Sequence, residues 1–305
     1  LAGPALPEPA RTECAQARAR QAERSGRLLA ALKEILDAFR AAGVRCLLLK
    51  GLGLGARHYG GLDRRATRDL DLLVRDADLR SAERALEGIG FRRASIVPLR
   101  ALALRFTHAF DYVRGDLTVD LHWTLARHPS FHFDLEGLGG RSEACSLGGV
   151  DVQIPCAEDA LALAAIGAFR DIQRGAFRAR ALADLYRIAA SCGDLAPFLA
   201  RCRADGTRRI AANVFALLLH ALDARAALPA VAAIVDAARA DVIVDPTSHL
   251  RLFLPGPFAL GNRLFAIRLY ACSPLRSFLW WLLSMPVRLL AFRSWRLPSR
   301  RRRRG

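Results

Sequence analysis

Cys46–Val74, CLLLKGLGLGARHYGGLDRRATRDLDLLV, is the stretch whose reading decides the fold. Near its end, Asp69-Leu70-Asp71 lies inside an apolar run. In a β-strand, side chains two positions apart share a face, so Asp69 and Asp71 stand side by side while Leu70 and Leu72 point into a core. Two carboxylates that close repel each other, which implies a cation between them. The alternative is that one caps the following helix and the other is solvated. With a cation between them, neutralising Asp71 is expected to relieve repulsion and leave metal-free stability level or raised. At the front of the stretch, Cys46 to Leu49 has the composition of a short strand, ends in Lys50-Gly51 and leads into a helix reaching Tyr59.

Working outward, Leu117–His122, LTVDLH, alternates apolar and polar residues at period two. Leu117, Val119 and Leu121 form one face; Thr118, Asp120 and His122 form the other. On a strand next to Asp71, Asp120 would supply a third hard oxygen donor, a set that suits Mg²⁺. His122 could orient Asp120 or contact a phosphate, and a hydrogen-bonded core histidine is the equal alternative.

The order strand, glycine turn, helix, Asp-x-Asp strand and later strand with a single Asp resembles the DNA polymerase beta-like nucleotidyltransferase superfamily. Within it, the chain is similar to an uncharacterised bacterial nucleotidyltransferase family with the pattern LKG…Y…R…DxDLLV…DLHW. Those elements are Leu49-Lys50-Gly51, Tyr59, Arg65, Asp69 to Val74 and Asp120-Leu121-His122-Trp123, and the likeness covers roughly residues 28 to 190. The resemblance implies an α/β (α+β) fold, a mixed sheet with flanking helices followed by a helical lobe. It implies Asp69, Asp71 and Asp120 as catalytic and metal-binding residues, holding one or two Mg²⁺ ions. Lys50, Gly51, Arg65 and His122 would then meet the nucleotide. The implied reaction moves a nucleoside monophosphate from a nucleoside triphosphate to a hydroxyl acceptor and releases pyrophosphate. One position departs from the wider superfamily: its Gly-Ser turn is Lys50-Gly51-Leu52 here, without the hydroxyl. That departure keeps open a non-catalytic nucleotide-binding or scaffold protein on the same fold.

At 305 residues and 52% hydrophobic, the chain can bury a substantial core. Only Lys33 and Lys50 are lysines, against forty-four arginines, a bias that fits a GC-rich genome and leaves Lys50 readable either as a compact phosphate-binding charge or as drift. Seven cysteines, none in a CxxC pair, indicate neither a zinc site nor a disulfide framework and point to a reducing cytoplasm. No signal-peptide pattern opens the chain, since Pro4, Pro7 and Pro9 break its first apolar residues. Starting at Leu1 rather than Met, it is expected to be processed, trimmed or fragmentary there. The net charge is +17, but residues 246 to 305 hold twelve arginines and no acid, and account for all but +5 of it. A near-neutral core argues against a nucleic-acid acceptor; a small molecule, sugar, peptide or protein side chain stays open.

The expected organisation is a flexible segment over 1–26, a nucleotidyltransferase core over 27–150, a helical lobe over 151–245 and a basic, apolar extension over 246–305. Residues 27 to 42 have helical apolar spacing. A helix capped by Asp76 or Asp78 runs to about Glu87, residues 94 to 116 hold further strands, and Arg114-Gly115-Asp116 makes a hairpin turn. Residues 129 to 150 are expected as loop with short strand pieces. Helices follow over 155–167, where Glu158 and Asp159 favour the N-terminus, then over 177–190, 211–227 and 230–240. Asp184 could help close the active site or be an ordinary exposed or paired helix acid. The run 278–292, FLWWLLSMPVRLLAF, is too short to span a bilayer. Arg276, Ser284 and Arg288 share one helical face. With Trp280, Trp281, Trp295 and Arg300 to Arg304, the run fits a helix lying on an anionic membrane from the cytoplasmic side; a helix packed on the body with a solvated tail is the alternative.

Overall fold

The computed structural model describes residues 7–94, 100–173, 178–243, 268–269 and 274–291, with side chains over 275–284 in the last segment. Trp295 and the run Arg300 to Arg304 lie outside the described residues. The chain divides into two compact units. The first takes Leu1–Ala94, Ala109–Trp123 and Glu143–Ile154; the second takes Ser95–His108, Thr124–Ser142 and Pro155–Gly305.

In the first unit, helix α1 (Glu8–Ala41) precedes β1 (Cys46–Leu48), α2 (Leu52–Tyr59), β2 (Leu70–Val74), α3 (Leu79–Gly88), β3 (Arg92–Arg93), β4 (Ala109–Arg114) and β5 (Leu117–His122). The five strands form one mixed sheet in the order β1-β2-β5-β4-β3. β2 runs parallel to β5, while β1 pairs β2, β4 pairs β5 and β3 pairs β4 antiparallel. The period-two pattern explains the layering. Leu70, Leu72, Phe110, Tyr112, Val119 and Leu121 are all buried, and the Trp123 ring packs 4.6 Å from Phe110. Leu28, Leu32, Ile35 and Phe39 give α1 a buried stripe, and α1 packs on α3. The hairpin β6 (Glu143–Leu147) and β7 (Val150–Ile154) belongs to this unit, with β7 against β1. The core therefore continues past residue 150.

Residues 1 to 26 were expected as a flexible segment; residues 1 to 6 lie outside the described residues, and residues 8 to 26 belong to α1. Glu8 to Arg20 are helical but almost wholly exposed, while residues 18 to 25 grip the loop before β2. Arg18 Nε lies 2.5 Å from Asp63 Oδ2, and Gln21 Nε2 donates to the Thr67 carbonyl at 3.3 Å. Arg24 donates to the Arg68 carbonyl at 3.1 Å, and Ser25 Oγ donates to the Leu62 carbonyl at 2.8 Å. These contacts are polar, so no apolar period marks them.

The second unit contains α4 (Arg100–Phe106), α5 (Leu135–Gly140), α6 (Ala157–Gln173), α7 (Ala179–Ser191), α8 (Ala196–Ala204), α9 (Arg208–Ala221), α10 (Pro229–Ala237) and α11 (Pro274–Ala291). α4 occupies part of a region expected to be strand, and α5 part of one expected to be loop and strand. α6 packs on α7, α8 and α9. Asp159, in the first turn of α6, is buried between Arg141 (3.0 and 3.3 Å) and Arg201 (2.9 Å), so it anchors the unit as well as suiting the helix dipole. Asp184 is also buried, 7% exposed, on α7.

Ser25→Ala is expected to destabilise the protein by about 1–3 kcal/mol, because it strands the Leu62 carbonyl without its donor. Gln16→Ala, on the exposed first half of the same helix, should stay within about ±0.5 kcal/mol. Denaturant unfolding measures both, and equal effects would show that residues 18 to 25 do not hold the loop.

Candidate active site

Strand pairing sets the site. Asp71 on β2 stands opposite Asp120 on β5, and Asp120 stands opposite Asp111 on β4. Directly paired residues point to the same side of a sheet, so these three carboxylates make a row across it, on the face away from Leu70, Leu72, Val119 and Leu121. His122, two residues beyond Asp120, shares that face. One ligand atom from each of Asp71, Asp120 and His122 lies within 4.8 Å of the others, which makes them a candidate metal-binding group. Asp69 is half-buried just before β2 begins and belongs to the same charge cluster, although the tight group brings His122 rather than Asp69 beside the other two.

The two central aspartates differ electrically. Burial pushes the Asp71 carboxyl up, but the Lys50 ammonium and the His122 ring outweigh it and hold the group well below the usual carboxylate range. Lys50 Nζ and His122 Nε2 each lie 3.3 Å from Asp71 Oδ1. Asp120 is pushed up to about 8, first by burial and then by the charges of Asp111, Asp71 and Asp69. The cluster is therefore short of positive charge on its Asp120 side. The expected relief of repulsion thus belongs to Asp120, whereas Asp71 is stabilised as an anion.

The Lys50-Gly51 turn sits close to this cluster. Gly51 has φ +61°, and a Cβ there would come within 3.0 Å of Thr67 Cγ2 and 3.4 Å of the Asp69 carbonyl. Only glycine fits both the dihedral and the space. α2 starts at the next residue, and Gly51, its N-cap, provides no side-chain cap. Thr67 brings a hydroxyl near Gly51, but that hydroxyl donates to the Arg65 carbonyl at 3.2 Å and does not replace the missing serine. Arg65 is 5% exposed, and its Nη1 lies 3.5 Å from Thr67 Oγ1, which braces the loop into β2.

Asp111 is absent from the set read off the sequence. A signal for it existed: a two-residue turn pairing Arg114 with Leu117 fixes Asp111 opposite Asp120 three steps back along the ladder.

In metal-free protein, stability should fall as pH rises between the ordinary aspartate value of 3.8 and about 8. In that window the folded state keeps a proton on Asp120 that the unfolded chain has lost. Asp120→Asn should flatten this dependence and raise the Tm near pH 8, by about 2–4 °C for each kcal/mol that ionisation costs. Asp71→Asn should lower the Tm at neutral pH, since it takes the anion from Lys50 and His122. Melting curves in chelator test both, and a rise for Asp71→Asn would contradict the assigned charge states.

No curated protein matches the sequence. One solved structure that resembles it is the solution structure of the antibiotic-resistance factor ANT(2'')-Ia, at 16% identity and a TM-score of 0.41, covering 57% of this chain and 87% of that one. Residues 2–223 match the model of a family described as uncharacterised nucleotidyltransferase. That match spans well over half of the chain and includes the turn, both aspartate strands and the helices that follow, so the chain belongs to this nucleotidyltransferase family.

Proposed function

We propose that this nucleotidyltransferase uses Mg²⁺, one or two ions, to move a nucleoside monophosphate from a nucleoside triphosphate to a hydroxyl acceptor. The observation that carries the reading is the grouping of Asp71, Asp120 and His122 within 4.8 Å on neighbouring strands. The donor chemistry fits a divalent cation. Carboxylates suit a hard ion, and the charges that lift Asp120 mark a place where a cation is favoured. Asp71 and Asp120 would hold it, with Asp69 at the edge. His122, resting on Asp71 Oδ1, orients that carboxylate, because imidazole is a poor Mg²⁺ ligand. A divalent cation bound there offsets the negative charge that builds on the transferring phosphoryl group and on the leaving pyrophosphate.

The side chains supply the rest. The turn at Gly51 and the start of α2 present backbone N–H groups to phosphate, and the helix dipole favours the anion. Lys50 adds a compact positive charge, and Arg65 contributes its charge from within the loop. The acceptor oxygen attacks the α-phosphorus as the bond to the β-phosphate oxygen breaks. Asp120, as the carboxylate nearest the acceptor, would take the acceptor proton. Asp111, exposed at the end of the carboxylate row, faces the side from which the acceptor would approach.

Wild-type protein should gain Tm with Mg²⁺ plus nucleoside triphosphate, by an amount that reaches about 2.7 kcal/mol of stabilisation at a hundred times Kd. Asp71→Asn should lose most of that gain and at least about 100-fold in transfer of α-labelled nucleotide. A mutant that keeps the whole Mg²⁺-dependent rise and the transfer would exclude Asp71 as a metal ligand, and the mechanism with it.

A further inference from the structure

Helix α11 packs one side on the body and leaves the other to solvent. Ser277 and Ser284, one heptad apart, are each only 1% exposed, and Ser284 Oγ donates to the Trp281 carbonyl at 3.1 Å. The buried side packs on α4. The Trp280 ring lies 5.1 Å from the Phe106 ring, and the Arg105 guanidinium sits 5.5 Å from its centroid. Of the three residues that the spacing places on one face, Ser284 is buried and Arg276 exposed, and the Arg288 side chain lies outside the described residues. Solvent meets leucines and a phenylalanine instead: Leu275 is 67% exposed, Phe278 41%, Leu279 46%, Leu282 48% and Leu283 64%. Spaced at three, four, seven and eight residues, they form one stripe. An exposed apolar stripe of this size on a helix marks a surface that is covered in use.

We propose that this stripe seats α11 on an anionic phospholipid surface, with the helix lying in the plane of the interface. The inference rests on α11 and its flanking sequence alone, and it stands apart from the transfer chemistry. Charge selects the occupant. Residues 246 to 305 contain twelve arginines and no acid, and seven of those arginines follow α11 within fourteen residues. A second copy of the chain would bring two such strongly positive segments together, which opposes self-association through this face. A nucleic acid would satisfy the arginines but leave the leucines in water. An anionic leaflet satisfies both, since its headgroups meet the arginines while its acyl boundary takes up the stripe. Among the described residues no helix is long and apolar enough to cross a membrane, so the helix lies on the surface rather than spanning it.

The test is sedimentation of the full chain with vesicles of phosphatidylcholine alone or mixed with phosphatidylserine. The full chain should partition onto the mixed vesicles, weakly onto the neutral ones, and less as salt rises, because the arginine contribution is screened over about 8–10 Å. The double variant Leu279→Glu, Leu283→Glu, with a melting curve like that of the wild type, should lose at least about tenfold in partitioning. If that variant folds poorly, Leu275→Glu, at the most exposed position of the stripe, provides the same comparison. Binding that ignores phosphatidylserine, or a folded variant that binds as the wild type does, overturns the proposal. So does a full chain that stays off both vesicles and elutes as a dimer which the variant dissolves.

Discussion

Pairing β2 parallel to β5, with Asp71 opposite Asp120, forces two carboxylates onto adjacent strands of one sheet face, and β4 adds Asp111 to the row. Like charges directly opposite each other weaken a sheet, so this register survives only because the opposite face compensates. That face holds Leu70, Leu72, Val119, Leu121, Phe110 and Tyr112, all buried. Slipping β2 by one residue would turn its aspartate into this layer and its leucines into solvent. The apolar face thus locks the polar face into an arrangement it would not choose alone. The strain appears as the raised basicity of Asp120, and a bound cation can draw on it.

Much of this was legible in the sequence because it rests on period two. Asp-Leu-Asp-Leu and Thr-Val-Asp-Leu-His each declare which residues share a face, and the structure agrees for Asp71, Asp120 and His122. Which strands are neighbours is not a periodic property. That the Asp120 strand lies beside the Asp71 strand was inferred from the chemistry of a third carboxylate, the parallel direction of that pairing was not read at all, and β4 went unassigned, so Asp111 was missed even though the hairpin turn fixed its partner. The grip of α1 on the loop before Asp69 was illegible for a different reason. Arg18, Gln21, Arg24 and Ser25 act through hydrogen bonds and an ion pair, and such contacts leave no hydrophobic rhythm in an Ala/Arg-rich segment. For α11 the sequence left two readings open, a helix on a membrane or one packed on the body, and the packing of its Ser277 and Ser284 side on α4 is a tertiary contact that composition does not announce.

Net charge was a poor guide to the site as well. The isoelectric point near 11.0 is set by the C-terminal arginines, while the Lys50 ammonium meets the carboxylate row at Asp71. The charge of the C-terminal segment is therefore no measure of the charge at the sheet.

The choice of lysine at position 50 has a geometric reason. In a chain with forty-four arginines and two lysines, position 50 carries lysine. Its Nζ and the His122 ring both meet Asp71 through Oδ1, at 3.3 Å each, and neither takes Oδ2. A guanidinium is a planar fork that binds both oxygens of a carboxylate at once. Arginine at position 50 would tend to close Asp71 off as a complete ion pair. A lysine ammonium holds the carboxylate ionised and oriented through one oxygen, and it leaves the other available to a second cation. In the proposed mechanism it could also swing on its four-carbon stem from the carboxylate to a phosphate. A site that stays anionic until the proposed metal and nucleotide bind would have a physical reason to favour lysine over the arginine that the rest of the chain prefers.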